Sequence, residues 1–257
     1  MKDGTHYADR LKKAYSKVKH GISEADIPEL GDPIRCLAVG ILGSDNGPNR
    51  AERQLNKALG VVVDWNEIRV SNVREVAELL GDTGTESLRR CQNLLDALHT
   101  IYDRENKVSL DRLRSLGRRE ARQYLETLKG VDEYAVAYVV LWSFGGHAIP
   151  VWNQVLGVLR EADLVHPTAT RAEIQAFLER NVPAADAKAF SLAVGSLGSG
   201  KAAGGKRSGS AKAGKRAPRL HECLLHHVVG VRTGPEPRRC AGGGSTVPGD
   251  QAREGVP

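Results

Sequence analysis

Aromatic side chains are scarce in this chain: Phe, Trp and Tyr make up 5% of its 257 residues, and there is a single methionine. No apolar run approaches the roughly 18 residues needed to span a bilayer. Met1 to His20 is charged and holds no apolar signal core. These absences set aside an integral membrane protein and a classically secreted one. The expectation is a cytoplasmic chain, associated with the nucleoid. Four cysteines, Cys36, Cys91, Cys223 and Cys240, are too few and too widely spaced for a disulfide framework. Cys36 and Cys91 fall in apolar or amphipathic segments and read as small core residues.

What is present is ordinary for a globular protein: 40% hydrophobic and 26% charged residues. The length suffices to bury a core, as one large domain or two lobes. The net charge of +6 suggests a polyanion as partner, but its location matters more than its sum. Lys201, Lys206, Arg207, Lys212, Lys215, Arg216 and Arg219 share one segment without an acid. They outnumber the whole net charge, so the rest of the chain is near neutral. Gly198 to Pro218 has the Gly/Ala/Ser/Lys/Arg composition of a flexible linker. It either holds phosphates without sequence preference or is a solvated tether, and both readings stay open.

Apolar residues recur at helical spacing along most of the chain. Helices are expected over residues 8–20, Ile34 to Leu42, Asn49 to Leu59, Val70 to Leu80 and Ser87 to Tyr102. Further helices are expected over Leu110 to Leu116, Arg118 to Leu128, Tyr134 to Phe144, Trp152 to Ala162, Thr170 to Asn181 and Ala184 to Leu197. Val61-Val62-Val63 is strand-like but too short to decide. Thr170 and Glu173 have the spacing of a capping box. The fold class is therefore all-α. Four segments are expected: an N-terminal helix and lead-in (1–32), a helical domain (33–197), a basic linker (198–219) and a mostly disordered C-terminal segment (220–257). One more short helix could form over Arg219 to Val231.

The most informative stretch is Leu125 to Val165. Leu128-Lys129-Gly130-Val131-Asp132 ends one helix, and a strongly apolar helix begins at once. A tight corner leaves backbone N–H groups unpaired at the start of the second helix, and these attract a phosphate. Gly130 would remove a side chain where backbones must approach closely, and Val131 would plug the corner into the core. After the apolar helix comes Phe144-Gly145-Gly146-His147-Ala148-Ile149-Pro150-Val151, then another helix and Leu164-Val165.

This order resembles the signature of the endonuclease III-like helix-hairpin-helix DNA glycosylases. The family pattern runs Leu-Pro-Gly-Val-Gly, a lysine, a buried helix, a Phe-Gly pair, then Pro-Val-Asp. The resemblance covers roughly residues 33–197, and its specific part about 40 residues. It implies a two-lobed helical bundle that binds double-stranded DNA as a monomer and flips a damaged base between the lobes. In the family a lysine attacks the sugar as an amine nucleophile, and an aspartate stabilises the developing charge. On that alignment the DNA clamp comprises Gly130, Val131, Asp132, Glu133, Tyr134 and Ala135.

The chain departs from the pattern at both catalytic positions. Tyr134 stands at the lysine position and Trp152 at the aspartate position. Tyrosine forms no Schiff base, and an indole carries no charge and only donates a hydrogen bond. The expectation is impaired glycosylase and AP lyase chemistry in a protein related to base-excision repair. The alternatives are a non-enzymatic DNA-binding or scaffolding protein, with Trp152 filling the old pocket, and a helical interaction protein that does not bind DNA. Asp132 replaces the second glycine of the pattern. With Glu133 it disfavours phosphate approach, and both acids read as helix caps rather than substitute catalytic groups. Ser44-Asp45-Asn46 falls where the family inserts a polar side chain into the base stack, although a plain loop reads as well. The iron–sulfur loop that often closes family members retains only Cys240 as a ligand, so no 4Fe–4S cluster and no other cofactor is expected. A zinc site from Cys223, His226, His227 and Cys240 has poor spacing. His147 reads as a surface-loop histidine, and Trp142 and Phe144 as core.

Overall fold

The computed structural model describes residues 4–19 and 27–198. These residues form eleven α-helices, and no strand occurs among them. The helices are α1 (Gly4–Lys19), α2 (Pro33–Gly43), α3 (Pro48–Leu59), α4 (Trp65–Val70), α5 (Val73–Leu80) and α6 (Thr85–Glu105). After a 3₁₀ turn at Asp111–Ser115 come α7 (Arg118–Glu126), α8 (Glu133–Trp142), α9 (Asn153–Glu161), α10 (Arg171–Asn181) and α11 (Ala187–Gly198). The linker, Cys223, His226, His227 and Cys240 lie outside the described residues.

Local chemistry sets most helix ends. Asp32 accepts the Arg35 N–H at 2.7 Å, with Pro33 opening α2. Asn72 and Glu75 form a reciprocal capping box at α5, and Thr170 and Glu173 form the one expected at α10. Gly81, at φ 71°, ends α5 in the left-handed region. The periodic run expected over Val70 to Leu80 is broken at Ser71-Asn72. Of that run only Val70 belongs to the preceding α4, which Asp64 opens by accepting the Asn66 and Glu67 amides. The apolar triplet at 61–63 is a turn, not a strand: Val62 is buried while Val61 and Val63 are exposed.

Two helices without a polar face form the centre. Every residue of α2 except Arg35 is buried, as is every residue of α8 from Tyr134 to Trp142. They pack on each other where Gly40 meets Ala135, so closely that a Cβ on Gly40 would lie 2.8 Å from the Ala135 Cα. Helices α3 to α6 pack around α2 as one lobe. In the other, α1 and α9 pack on α11, and α1 also touches α10. The Tyr15 and Phe190 rings meet edge-on at 5.3 Å, and Arg10 pairs with Asp163 at 2.7 Å. Cys36 and Cys91 are buried and unpaired, as expected of core residues.

Candidate functional site

The corner between α7 and α8 is a genuine break. Helix α7 stops at Glu126, and α8 starts at Glu133. Arg104, near the end of α6, donates to the Thr127 carbonyl at 3.0 Å and to its hydroxyl at 2.7 Å, bracing the exit from α7. Leu128 is buried and Val131 is half-buried against the core. The Gly130 amide has no acceptor among the described residues, while Lys129-Gly130 form a hydrogen-bonded turn.

Gly130 is required for a reason internal to the molecule. Its φ of 75° is left-handed, and a Cβ there would lie 2.3 Å from the Asn93 carbonyl oxygen of α6. The space its missing side chain leaves thus accommodates α6, not an outside ligand. The close backbone approach expected at Gly130 is to Asn93, and it lets the corner seat on the first lobe.

Asp132 is the N-cap of α8, and its carboxylate accepts the Ala135 N–H at 2.8 Å. Arg171, the first residue of α10, donates to its other oxygen at 3.3 Å. Burial is the leading influence on the Asp132 carboxyl and raises its pKa; the Ala135 amide and Arg171 act the other way. Glu133 is exposed in the first turn. Tyr134 and Ala135 have no exposed surface, so their side chains are sealed away from any ligand at the corner.

One turn into the fold lies the second expected locus. Tyr134 and Trp152 do come together, with ring centroids 6.1 Å apart and an interplanar angle of 64°. The indole lies between two glycines from opposite lobes. A Cβ on Gly47 would lie 2.8 Å from the indole nitrogen, and one on Gly195 would lie 3.2 Å from the far ring edge. The slot is therefore shaped to the ring. Neither the Tyr134 hydroxyl nor the Trp152 N–H has a hydrogen-bond partner. Burial pushes the Tyr134 phenol far above its ordinary pKa, so it stays neutral.

Above this pair runs a polar chain that joins the lobes. Asp45, in the loop between α2 and α3, accepts from Arg90 at 3.1 Å and from Arg89 at 3.3 Å. It also accepts from the Asn153 amide at 2.8 Å. Asn153 in turn accepts from Arg171 at 2.7 Å, and Arg171 reaches Asp132. Arg90 is 5% exposed and also faces Asp82 at 3.9 Å, which Arg50 holds at 2.9 Å. An open groove of about 640 Å³ borders this chain, lined by residues that include Asn46, Arg50, Thr85 and Asn153.

The sequence reading missed this arrangement because its members lie in five separate segments of the chain. Of the three loop residues singled out, Ser44 is buried and bonded to the Ile41 carbonyl, and Asp45 is engaged as described. Asn46 is half-buried, and its side chain makes no hydrogen bond among the described residues. His147 is half-buried, with its ring 3.0 Å from the Val182 carbonyl, and so ties two loops together. Trp142 is core; Phe144 is partly buried against it. No group of three or more His, Cys, Asp or Glu able to hold a metal occurs among the described residues.

The all-helical arrangement around α2 and α8 has an overall fold seen in solved structures. The chain matches a trapped endonuclease III–DNA covalent intermediate at TM-score 0.56 and 15% identity, over 74% of this chain and 84% of that one. It has the endonuclease III-like helix-hairpin-helix glycosylase fold. A thermostable thymine-DNA glycosylase matches this glycosylase fold at TM-score 0.55 and 18% identity, over 79% of this chain and 91% of that one. A non-covalent endonuclease III–DNA complex matches at TM-score 0.54 and 14% identity, over 74% and 83%. No family model and no curated protein matches by sequence. No helix among the described residues is long and apolar enough to cross a membrane.

Proposed function

We propose that this protein binds double-stranded DNA as a monomer through the corner between α7 and α8, and that its glycosylase chemistry is impaired. The observation that carries the reading is the indole slot. At the pocket position where a glycosylase of this fold needs a carboxylate, a neutral ring fills the space between Gly47 and Gly195. Its neighbour Tyr134 offers a neutral hydroxyl, not an amine. A flipped base would find neither a nucleophile nor a stabilising charge there. The nearest substitute acids do not serve: Asp132 caps α8 and pairs with Arg171, and Glu133 is exposed.

Binding to the backbone is supported by the free amide of Gly130, in the turn just before the N-terminal end of α8. Lys129 is exposed beside it. Arg171 partly neutralises the Asp132 charge that would otherwise repel a phosphate. By the same reading Asn46 is the loop side chain free to enter a base stack, and the basic linker 198–219 adds sequence-independent affinity. The protein would act without an iron–sulfur cluster, since Cys240 alone remains of that ligand set, and would associate with the nucleoid.

The test is fluorescence anisotropy of the full chain on an undamaged labelled duplex across a salt series, paired with base-release assays on duplexes bearing a panel of lesions. The expected outcome is salt-dependent binding without base release. Asp132→Asn keeps a capping oxygen but removes the charge. It should tighten binding about threefold, the effect of one charge at a helix terminus. Turnover by the unaltered protein would overturn the impairment. Absence of binding at low salt would overturn DNA recognition and leave the chain an interaction protein on a glycosylase fold.

A further inference from the structure

We propose that the loop 44–47 is a latch, held shut by Asp45, that closes over the Trp152 indole and keeps solvent from it. Three observations converge on it. The loop's last residue, Gly47, lies directly against the indole nitrogen and takes the left-handed φ of 83°. Its second residue, Asp45, fastens the loop at both sides: to Arg89 and Arg90 of α6 in the first lobe, and to Asn153 of α9 in the second. Beneath it, the Trp152 N–H and the Tyr134 hydroxyl are buried without partners.

The energetics are those of a two-state element. A buried donor without an acceptor costs free energy that water would relieve, so the pair beneath the loop favours opening. The Asp45 bonds oppose it. They are charge-assisted and anchored on Arg90, which is itself almost fully buried, so they are screened less than surface pairs. Asn153 is the residue after Trp152, so the latch fixes the loop to the chain segment that carries the indole. The groove of about 640 Å³ beside Asp45 and Asn153 gives the loop room to move outward. Nothing in this latch depends on whether the chain binds DNA. The latch governs solvent access to the indole.

The experiment is fluorine NMR of the full chain labelled with 5-fluorotryptophan. The three tryptophans give three resonances, and Trp152→Phe assigns the relevant one. The shift of that resonance between H₂O and D₂O reports solvent contact. In the wild-type chain Trp152 should show a shift near that of a buried ring. Combining Asp45→Asn with Asn153→Ala should raise it about threefold or more as the open state gains population, with the Trp65 and Trp142 resonances in place. A Trp152 shift that stays at the wild-type value overturns the latch. Should the double variant unfold, all three resonances collapse to the free value, and Asn153→Ala alone decides. That variant keeps the Arg90–Asp45 pair. An increase confined to Trp152 supports the latch, and no increase overturns it.

Discussion

The corner and the pocket lie at the same end of α8, yet they treat polar groups in opposite ways. At the corner polar groups have counterparts in reach: Asp132 has the Ala135 amide and Arg171, and the exit of α7 has Arg104, while the charges of Lys129 and Glu133 are exposed. The Gly130 amide remains free on a partly exposed residue. In the pocket no charge is present, and two donors are buried without partners. The contrast teaches that the pocket is held by shape and the corner by electrostatics. Changes of volume should therefore damage the first, and changes of charge should tune the second.

Gly130 is the exception that sharpens this comparison, since its constraint is steric although it sits at the corner. Gly130→Ala combines a left-handed backbone with a Cβ in contact with the α6 main chain, which cannot yield as a side chain would. We expect a loss of about 3–5 kcal/mol in urea unfolding, from conformational strain plus overpacking. A loss under 1 kcal/mol would show that the corner can reseat away from α6.

Trp152→Ala should cost about 3–5 kcal/mol, the range for emptying a buried aromatic site. Trp152→Phe retains most of the packing and deletes the unpartnered N–H, so it should cost about 1 kcal/mol or less. Near-equal losses for the two variants would mean that the indole nitrogen has a partner in solution, and that shape alone does not hold the slot. Trp152→Asp should exceed both, because it leaves a void and buries an unpaired carboxylate. That variant is thus a poor means of restoring an aspartate to the pocket.

The smallest expected effect is one of pH, at the cluster behind the corner. Arg112 grips Glu105 through two hydrogen bonds of 2.7 and 2.9 Å, and the Tyr124 hydroxyl donates to the same carboxylate at 2.8 Å. Arg112 is the main reason the Glu105 carboxyl lies below its ordinary pKa, while burial acts against it. A depressed folded-state value means that the unfolded chain binds the proton more readily. The stabilisation is complete above the unfolded pKa of about 4.3 and is lost as pH falls through the folded value. Arg112→Met should flatten the acid limb of a plot of Tm against pH. Asp132, with its raised pKa, contributes with the opposite sign: its share of stability falls as pH rises above the unfolded value of about 3.9. Asp132→Asn should therefore steepen the same limb. An unchanged limb in both variants would remove these carboxyls from the acid response.

Much of the helical framework was legible in local chemistry. The capping box at Thr170 and Glu173, the corner before α8 and the all-buried character of α8 follow from neighbouring residues. They could be read for that reason. Helix α4 was missed although Asp64 signals its start, because a valine-rich run obscured the break at Ser71-Asn72. The adjacency of Tyr134 and Trp152 was suggested only by family resemblance, since nothing in their spacing implies contact.

The sequence by itself therefore determined an all-α chain, most of its helix ends and the presence of a glycine-bearing corner, because those depend on hydrogen bonds and periodicity within a few residues. Only the tertiary structure decided that Gly130 yields space to Asn93, that two glycines from opposite lobes shape a slot for Trp152, and that Asp45 ties α6 to α9. Those arrangements join residues up to 148 positions apart, as Gly47 and Gly195 are around the indole. A linear pattern does not encode which distant backbones come within van der Waals contact; packing does.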